Sequence, residues 1–319
     1  MKQMSAARVD QILEVATRAP SVHNTQPWRF APDENGFELW AERSRQLPVL
    51  DPTGRQLVLS CGAALHHAIV AARAAGLAPT VQLLPDPDEN DLLARVTWEP
   101  GPPPTETELL LLEATTHRRT YRDRFTPEPL PDELLDELAS ADVVGDVAVR
   151  YVRAADDLAA VEVLLAHADA EQQRDPAYVA ELRHWVGVEP ASGFGIPVTS
   201  IDPTAGAGSS LALRHFEVMT TPLIEHPPVA DHPMVAALVT SGDEPRDWLA
   251  GGQAMSSLLL HATVHGVAAQ PLGQVTDKIA WRRRVGDALG VVGSPQLLLR
   301  LGRPRHAVPA TPRRHDVTG

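Results

Sequence analysis

Three short stretches of this chain carry residue types that can hold an anion or a polar chain. The first is Arg18-Ala-Pro-Ser-Val-His-Asn-Thr-Gln-Pro-Trp-Arg-Phe30. A helix must end here, and Pro20, Ser21 and Asn24 form a polar turn before the strand-like Trp28-Arg-Phe30. Such a turn offers hydroxyl, amide and backbone donors to a ligand; the same residues equally make an Asx or Ser turn bonded only to itself. The second stretch is His117-Arg-Arg-Thr-Tyr-Arg122, where Arg118, Arg119 and Arg122 concentrate positive charge. Arginine suits phosphate because its planar fork makes paired, charge-assisted hydrogen bonds; a solvated basic turn paired with nearby acids has the same composition. The third is Thr311-Pro-Arg-Arg314, for which a disordered basic tail is the default reading.

Other constellations carry less. Adjacent His66 and His67 face different sides of a helix and do not chelate as an i, i+4 pair would. His261 and His265 have that spacing, but no acidic third ligand is tied to them in sequence, so no metal is expected. Ser60-Cys-Gly-Ala-Ala is far from a nucleophile elbow. Cys61 at a helix start invites a lowered pKa, yet reads better as a small buried residue. No Rossmann glycine fingerprint precedes a helix.

The bulk properties narrow the partners. A net charge of -13 over 319 residues repels nucleic acid and anionic membranes across most of the surface. An anionic ligand is then held only where arginines gather. A single cysteine rules out an internal disulfide and fits a reducing compartment. The N-terminal stretch has acidic residues and lacks a signal peptide's apolar region, and no apolar run is read as a membrane span. A cytoplasmic protein is expected. Aromatics make up only 4%, so the core must rest on Ala, Leu and Val.

The elements that position these stretches come in two similar sets. Leu59–Leu77 and Leu249–Val267 align without a gap, Gly62 falling on Gly252, Ala64 on Ala254, Ala72 on Ala262 and Gly76 on Gly266. Each reads as a long, nearly all-apolar helix closed by glycine, buried against its counterpart. Asp10–Glu14 resembles Asp132–Asp136 early in a helix; Leu93–Trp98 and Gln296–Leu301 are strand-like and lead to Pro100 and Pro304. The order helix, strand, long helix, strand occurs twice, which points to internal duplication. The halves are expected at 1–104 and 105–319, joined by the stiff Pro100–Pro104 connector. The second carries an extra segment, about Glu171 to Thr221, with Trp185, Phe194, many Gly, Ser and Pro, and little periodicity. It is read as a lid.

Together these features resemble the FMN-dependent nitroreductases, and especially the fused, double-length Acg-type branch. In that family an Arg-Arg-Ser-x-Arg segment binds the flavin phosphate, ribityl chain and pyrimidine edge; here it is Arg118-Arg119-Thr120-Tyr-Arg122, with the hydroxyl kept. The turn Ala-Pro-Ser-x-x-Asn-x-Gln-Pro-Trp, which reaches the flavin from the partner subunit, is present with Pro20, Ser21, Asn24 and Gln26. The Pro-x-Gly loop passing the flavin's reactive edge matches Pro271-Leu272-Gly273, and a final Pro-Arg-Arg matches Pro312 with Arg313 and Arg314.

The departures matter as much. The first half has no Arg-Arg-Ser segment, and the second has Ala139-Ser-Ala-Asp-Val-Val144 where the polar turn would fall. The resemblance therefore implies an α+β nitroreductase fold, duplicated into an intramolecular pseudo-dimer that needs no second chain. It implies one complete site, binding one FMN per chain non-covalently. NAD(P)H would pass a hydride through flavin N5 to a nitroaromatic, quinone or similar acceptor, with no side-chain acid or base required. Arg122 would stabilise negative charge at the pyrimidine edge. The alternative is a protein that stores FMN under a lid that blocks turnover.

Overall fold

The computed structural model describes residues 6–141, 145–188, 193–197, 211 and 233–307. The first part of the chain runs α1 (Ala6–Ala16), β1 (Trp28–Asp33), β2 (Gly36–Ala41), α2 (Arg55–Ala74), β3 (Leu77–Leu83) and β4 (Leu92–Pro100). Then come α3 (Glu106–His117), α4 (Asp132–Ser140), β5 (Val147–Val152), α5 (Ala155–Gln173), α6 (Pro176–Trp185), β6 (Val186–Val188) and β7 (Ile196–Pro197). The chain continues through β8 (Met234–Thr240), α7 (Pro245–Val264), β9 (Ala268–Pro271), α8 (Ile279–Ala288) and β10 (Ser294–Gly302). The architecture is α+β.

Two four-stranded sheets carry the chain, in the orders β1-β2-β4-β3 and β5-β8-β10-β9, and every neighbouring pair in them is antiparallel. Ranked within its own sheet, each order is first, second, fourth, third. A short two-stranded parallel pair, β6 with β7, lies apart from both.

Helices α2 and α7 lie against each other between these sheets and are buried along most of their length. Their sequences explain the close approach. A Cβ built on Gly62 would lie 2.3 Å from the Leu249 carbonyl oxygen, and one on Gly252 would lie 2.0 Å from that of Leu59. Only hydrogen fits at either crossing position. Both helices start four residues earlier than the aligned repeat suggests. Past the end of each stands a glycine in the left-handed region, Gly76 at φ 73° and Gly266 at φ 67°, as a C′ glycine does. By length and apolarity α2 does match a membrane span, contrary to the sequence expectation. It passes for one because it is a core helix, with its apolar faces packed inside the protein.

One hydrophobic core crosses the proposed boundary between halves. It joins Leu13, Phe37, Leu39 and Leu65 to Leu238, Leu249, Leu258 and Leu299. Helix α3, started by a Thr105–Glu108 capping box, follows the proline-rich connector and packs Leu111 and Ala114 on Val70 of α2 and Leu260 of α7.

The described part of the segment read as a lid is more regular than expected. Residues 171–173 finish α5, and Asp175 caps α6 by accepting from the Ala177 and Tyr178 N–H groups. Tyr178, Leu182, Val186 and Ile196 bury against Leu47 and Leu50, while Glu181 accepts from the Val49 and Leu50 N–H groups at 2.9 and 2.8 Å. Tyr178 and Leu182 are buried at helical spacing, a pattern masked in the sequence by the apolar Val179 and Ala180 between them. The rest of the segment, apart from residues 193–197 and 211, lies outside the described residues.

Candidate functional site

The turn after α1 holds three non-glycine residues in left-handed backbone. His23, Asn24 and Gln26 have φ of 46°, 57° and 50°, a region costing non-glycine residues about 1–3 kcal/mol each. Specific bonds hold it there. The Ser21 hydroxyl accepts from the Gln26 N–H at 3.0 Å, and the Ser60 hydroxyl on α2 accepts from the Val22 N–H at 3.1 Å. Arg45 donates to the Gln26 carbonyl at 2.8 Å, and Asn24 Nδ2 donates to the Gly195 carbonyl at 2.9 Å. The turn is thus bonded to its surroundings as well as to itself.

Opposite it, the segment after α3 runs beside β9, bridged at Thr120 and Ala269, with the Tyr121 N–H donating to the Ala269 carbonyl at 2.9 Å. This contact sets the arginine run along the edge of the second sheet, facing the turn from the first half. Between them lies a cleft of about 810 Å³ up to its open mouth, lined by Pro20, Ser21, Thr120, Arg122, Pro271 and Gly273 among others. It continues into a recess of about 490 Å³ walled by Asn24, Arg118, Arg119, Gly195 and Pro197.

The electrostatics are uneven along the cleft. Arg118 is only 4% exposed, and among the described residues no acidic partner holds it and its Nε has no hydrogen-bond partner. Burial, with Arg119 beside it, pushes its pKa down to about 10. Burial also lowers that of Arg119. A buried, uncompensated guanidinium is costly and is relieved by an anion, so this recess fits a phosphate-like group. The Asn24 side-chain oxygen is buried and unpaired in the same wall.

Of the residues singled out in the sequence, Pro20, Ser21, Asn24, Arg118, Arg119, Thr120, Arg122, Pro271 and Gly273 come together here. Two do not reach the cleft. Gln26 is buried behind the turn, its amide donating to the Gly193 carbonyl at 2.6 Å, and it anchors the 193–195 loop instead. Leu272 turns into the second sheet's apolar cluster, and its N–H pairs with the Leu298 carbonyl at 2.8 Å. Arg313, Arg314 and part of the 139–144 stretch lie outside the described residues.

Sequence reasoning missed Gln56, Ser60, Gln270 and Asp277 in the cleft wall. Gln56, Leu59 and Ser60 share one face of the first turns of α2, and polar residues on a helix apolar elsewhere were the available signal. Gln270 adjoins the Pro271 loop.

The dismissed constellations resolve into packing. Cys61 is fully buried, burial pushes its thiol up, and it donates to the Pro27 carbonyl at 3.2 Å. His66 and His67 do converge, against expectation, because both Nδ1 atoms sit 2.9 and 2.8 Å from the one Ser256 hydroxyl on α7. His265 pairs with Glu137 at 3.0 Å. No group of three metal-ligating side chains occurs among the described residues.

Comparison with known proteins decides the family. The Nitroreductase family model matches residues 115–303, more than half of the chain. The Mycobacterium tuberculosis H37Rv protein named "Putative NAD(P)H nitroreductase Rv3131" is 34% identical over 317 residues, spanning 97% of this chain and 90% of its own. The protein named "Putative NAD(P)H nitroreductase acg" from the same strain is 34% identical over 315 residues, spanning 96% of this chain and 93% of its own. The chain belongs to the nitroreductase family. Among solved structures, this family member is similar to the FMN-dependent nitroreductase NfnB of Mycobacterium smegmatis in complex with NADPH, at 16% identity and TM-score 0.41, covering 66% of this chain and 96% of that one. A nitroreductase with bound FMN from Bacteroides fragilis is similar at 16% identity and TM-score 0.38, covering 61% and 88%.

Proposed function

We propose that this chain is a cytoplasmic, FMN-dependent NAD(P)H oxidoreductase of nitroreductase type. In this reading it is a duplicated chain folded as an intramolecular pseudo-dimer with one composite site. The observation that carries it is Arg118, a buried guanidinium without an anion, at the closed end of a cleft built from residues 20–24, 118–122 and 271–273. Arg118 and Arg119 would take the FMN phosphate as a charge-assisted partner, with Arg313 and Arg314 returning to it from the C-terminal segment. Ser21, Asn24 and Thr120 supply donors and acceptors along a polar chain. Arg122, lining both parts of the cleft, would stabilise negative charge at the pyrimidine edge. Pro271 and Gly273, which line the cleft, would flank the ring. When bound, FMN would supply the redox chemistry, hydride transfer from NAD(P)H to a nitroaromatic, quinone or similar acceptor.

The paired sheet orders, the matched ends of α2 and α7, and their glycine crossing support the duplication. Denaturing the purified protein and quantifying the released flavin tests the reading. One FMN per chain is expected; two equivalents, or FAD as the main species, would contradict it.

A second reading, FMN storage, is supported by one feature. Gly195, Ile196 and Pro197 form a wall of the recess, and Asn24 holds that wall by its amide. If this wall stays closed over a bound flavin, FMN is held and substrates are excluded. Anaerobic stopped-flow reduction by NADH and by NADPH separates the two. Fast reduction supports the enzyme, and a holoprotein that neither nucleotide reduces supports storage.

A further inference from the structure

Two glutamines line the same cleft, and each has one end of its amide fixed by a charged group behind it. Gln270, on β9, is 5% exposed. Its cross-strand neighbour Arg300 is fully buried and donates from Nε to Gln270 Oε1 at 2.7 Å. Arg300 is itself fixed, donating to the Asp123 carbonyl at 2.9 Å and lying 4.8 Å from the centre of the Phe125 ring. A guanidinium has donors only, so the amide oxygen must face it and the amide NH2 is left for the cleft.

Gln56 is set the opposite way. It lies in the first turn of α2, 7% exposed, and its Nε2 donates to Asp277 Oδ1 at 2.8 Å. The second Asp277 oxygen accepts from Gln172 Nε2 at 3.2 Å. A carboxylate has acceptors only, so the Gln56 NH2 faces it and the amide oxygen is left for the cleft. Neither glutamine forms a second side-chain hydrogen bond among the described residues. The cleft therefore presents one oriented donor, from the second half, and one oriented acceptor, from the first.

We infer that Gln270 and Gln56 are specificity-determining residues for a planar ligand bearing both a carbonyl and an N–H, that is, an imide or carboxamide. Arg300 and Asp277 are the positioning residues that fix the two amides. This deepens the proposed function and rests on it, because that reading brings two such groups to the cleft: the pyrimidine imide of FMN and the carboxamide of the nicotinamide. A ligand with two carbonyls and no N–H leaves Gln56 oxygen unpaired, and a buried unpaired acceptor is disfavoured.

The test removes the N–H from the ligand and the acceptor from the protein in turn. FMN and N3-methyl-FMN are titrated into apoprotein, and NADPH and its 3-acetylpyridine analogue into FMN-loaded protein. Each titration uses the unaltered chain and Gln56→Met. In one arm the analogue should bind the unaltered chain about tenfold more weakly than its parent, and Gln56→Met should bind both alike. The arm that shows this coupling identifies the source of the imide or carboxamide. A second variant, Gln270→Glu, exchanges the donor for an acceptor and gives Arg300 a charged partner. It should retain or raise the unfolding temperature while weakening the same ligand about tenfold. Normal FMN binding with no coupling in either arm would overturn this inference alone. Failure of the unaltered chain to bind FMN would overturn the proposed function and the inference with it.

Discussion

The two sides of the central helix pair share a backbone plan and differ in what fills it. With Leu59 set opposite Leu249, Gln56 corresponds to Arg246, Ser60 to Ala250, Gln270 to Thr80, Pro271 to Val81 and Gly273 to Leu83. On one side the set Gln56, Ser60, Gln270, Pro271 and Gly273 lines a cleft. On the other, Arg246 donates to the Leu83 carbonyl at 3.2 Å, and Val81, Leu83, Leu84 and Trp248 pack onto the core. A helix pair with glycines at the crossing is therefore a frame common to both sides. The site arises where the rim residues are small or polar and leave space that side chains do not fill.

The largest effect should come from breaking the shared frame. Gly252→Ala sets a Cβ 2.0 Å from the Leu59 carbonyl oxygen and 3.0 Å from Gly62 Cα, both backbone atoms. At neighbouring Gly251 the nearest atom is the Leu59 Cδ2 at 3.2 Å, which a side chain can yield. Gly252→Ala should cost about 3 kcal/mol in denaturant unfolding, and Gly251→Ala within about 1 kcal/mol of zero, since helix propensity offsets its crowding. Equal midpoints would mean that the helix crossing is not the constraint described.

Two buried arginines sharpen the contrast between frame and site. Arg55 donates to the Gln296 carbonyl at 2.8 Å, to Gln296 Oε1 at 3.0 Å and to the Thr276 carbonyl at 2.5 Å, tying α2 to the second half. Arg118 has no such set. Arg55→Met takes a donor from three buried acceptors, of which only Gln296 Oε1 keeps another, Arg282 at 3.5 Å, and should cost about 3 kcal/mol. Arg118→Met should leave the apoprotein as stable or more so, because an uncompensated buried charge is removed. It should also weaken FMN about 100-fold through lost charge-assisted bonds. Calorimetry of apoprotein with flavin titration checks both. A destabilised Arg118→Met apoprotein with unchanged FMN affinity would make Arg118 part of the frame.

Sequence reasoning reached the frame more fully than the rim. Gly62, Gly252, Gly76 and Gly266 mark close approach and helix ends through backbone geometry, which residue type reports directly. The turn at Pro20, Ser21 and Asn24 and the run Arg118–Arg122 were also legible, because their chemistry lies within a few positions. Gln56, Gln270 and Asp277 were not. Their significance depends on Arg300 and Gln172, side chains distant in sequence that meet them only after folding. The side chains of Gln26 and Leu272 turn away from the cleft, which the motifs did not indicate for a related reason. A motif gives a residue's neighbours along the chain, but not which way its side chain turns at φ 50° or at the end of a strand. Helix α6 was hidden because apolar residues stand on several of its faces, while only Tyr178 and Leu182 are buried.

A smaller test compares Ser60 with its counterpart. The Ser60 hydroxyl donates to the Gln56 carbonyl at 2.7 Å and accepts from the Val22 N–H. Ser60→Ala should cost about 1–2 kcal/mol by leaving that N–H unpaired, and should weaken FMN by loosening the strained turn. Ala250→Ser adds a hydroxyl that bonds its own preceding helical carbonyl and should change stability by less than about 1 kcal/mol. Similar losses from both would erase the distinction between cleft side and filled side.

The smallest effect is a pH dependence that two carboxylates near the starts of α2 and α7 should drive in opposite senses. Burial alone pushes Asp243 up, but bonds from Trp248, Arg282 and Gln296 more than reverse it and hold it below the ordinary range. Burial pushes Asp51 up, and the Leu57 and Gln56 N–H groups and Arg55 offset it only in part. A depressed folded-state value means that Asp243 stabilises the fold above the ordinary aspartate value of about 3.9 and loses this as pH falls through the folded value. A raised value means that Asp51 contributes below about 3.9 and loses this as pH rises through its folded value. Asp243→Asn should therefore flatten the loss of stability on the acid side below about pH 4. Asp51→Asn keeps an acceptor for the Leu57 N–H and should make the same loss steeper, because a contribution that grows with acidity is gone. Denaturant midpoints from about pH 2.5 to 6 measure both slopes. Slopes that change in the same direction would mean that the polar network around Arg282 does not hold Asp243 charged, and that α7 starts, like α2, on a carboxylate penalised by burial.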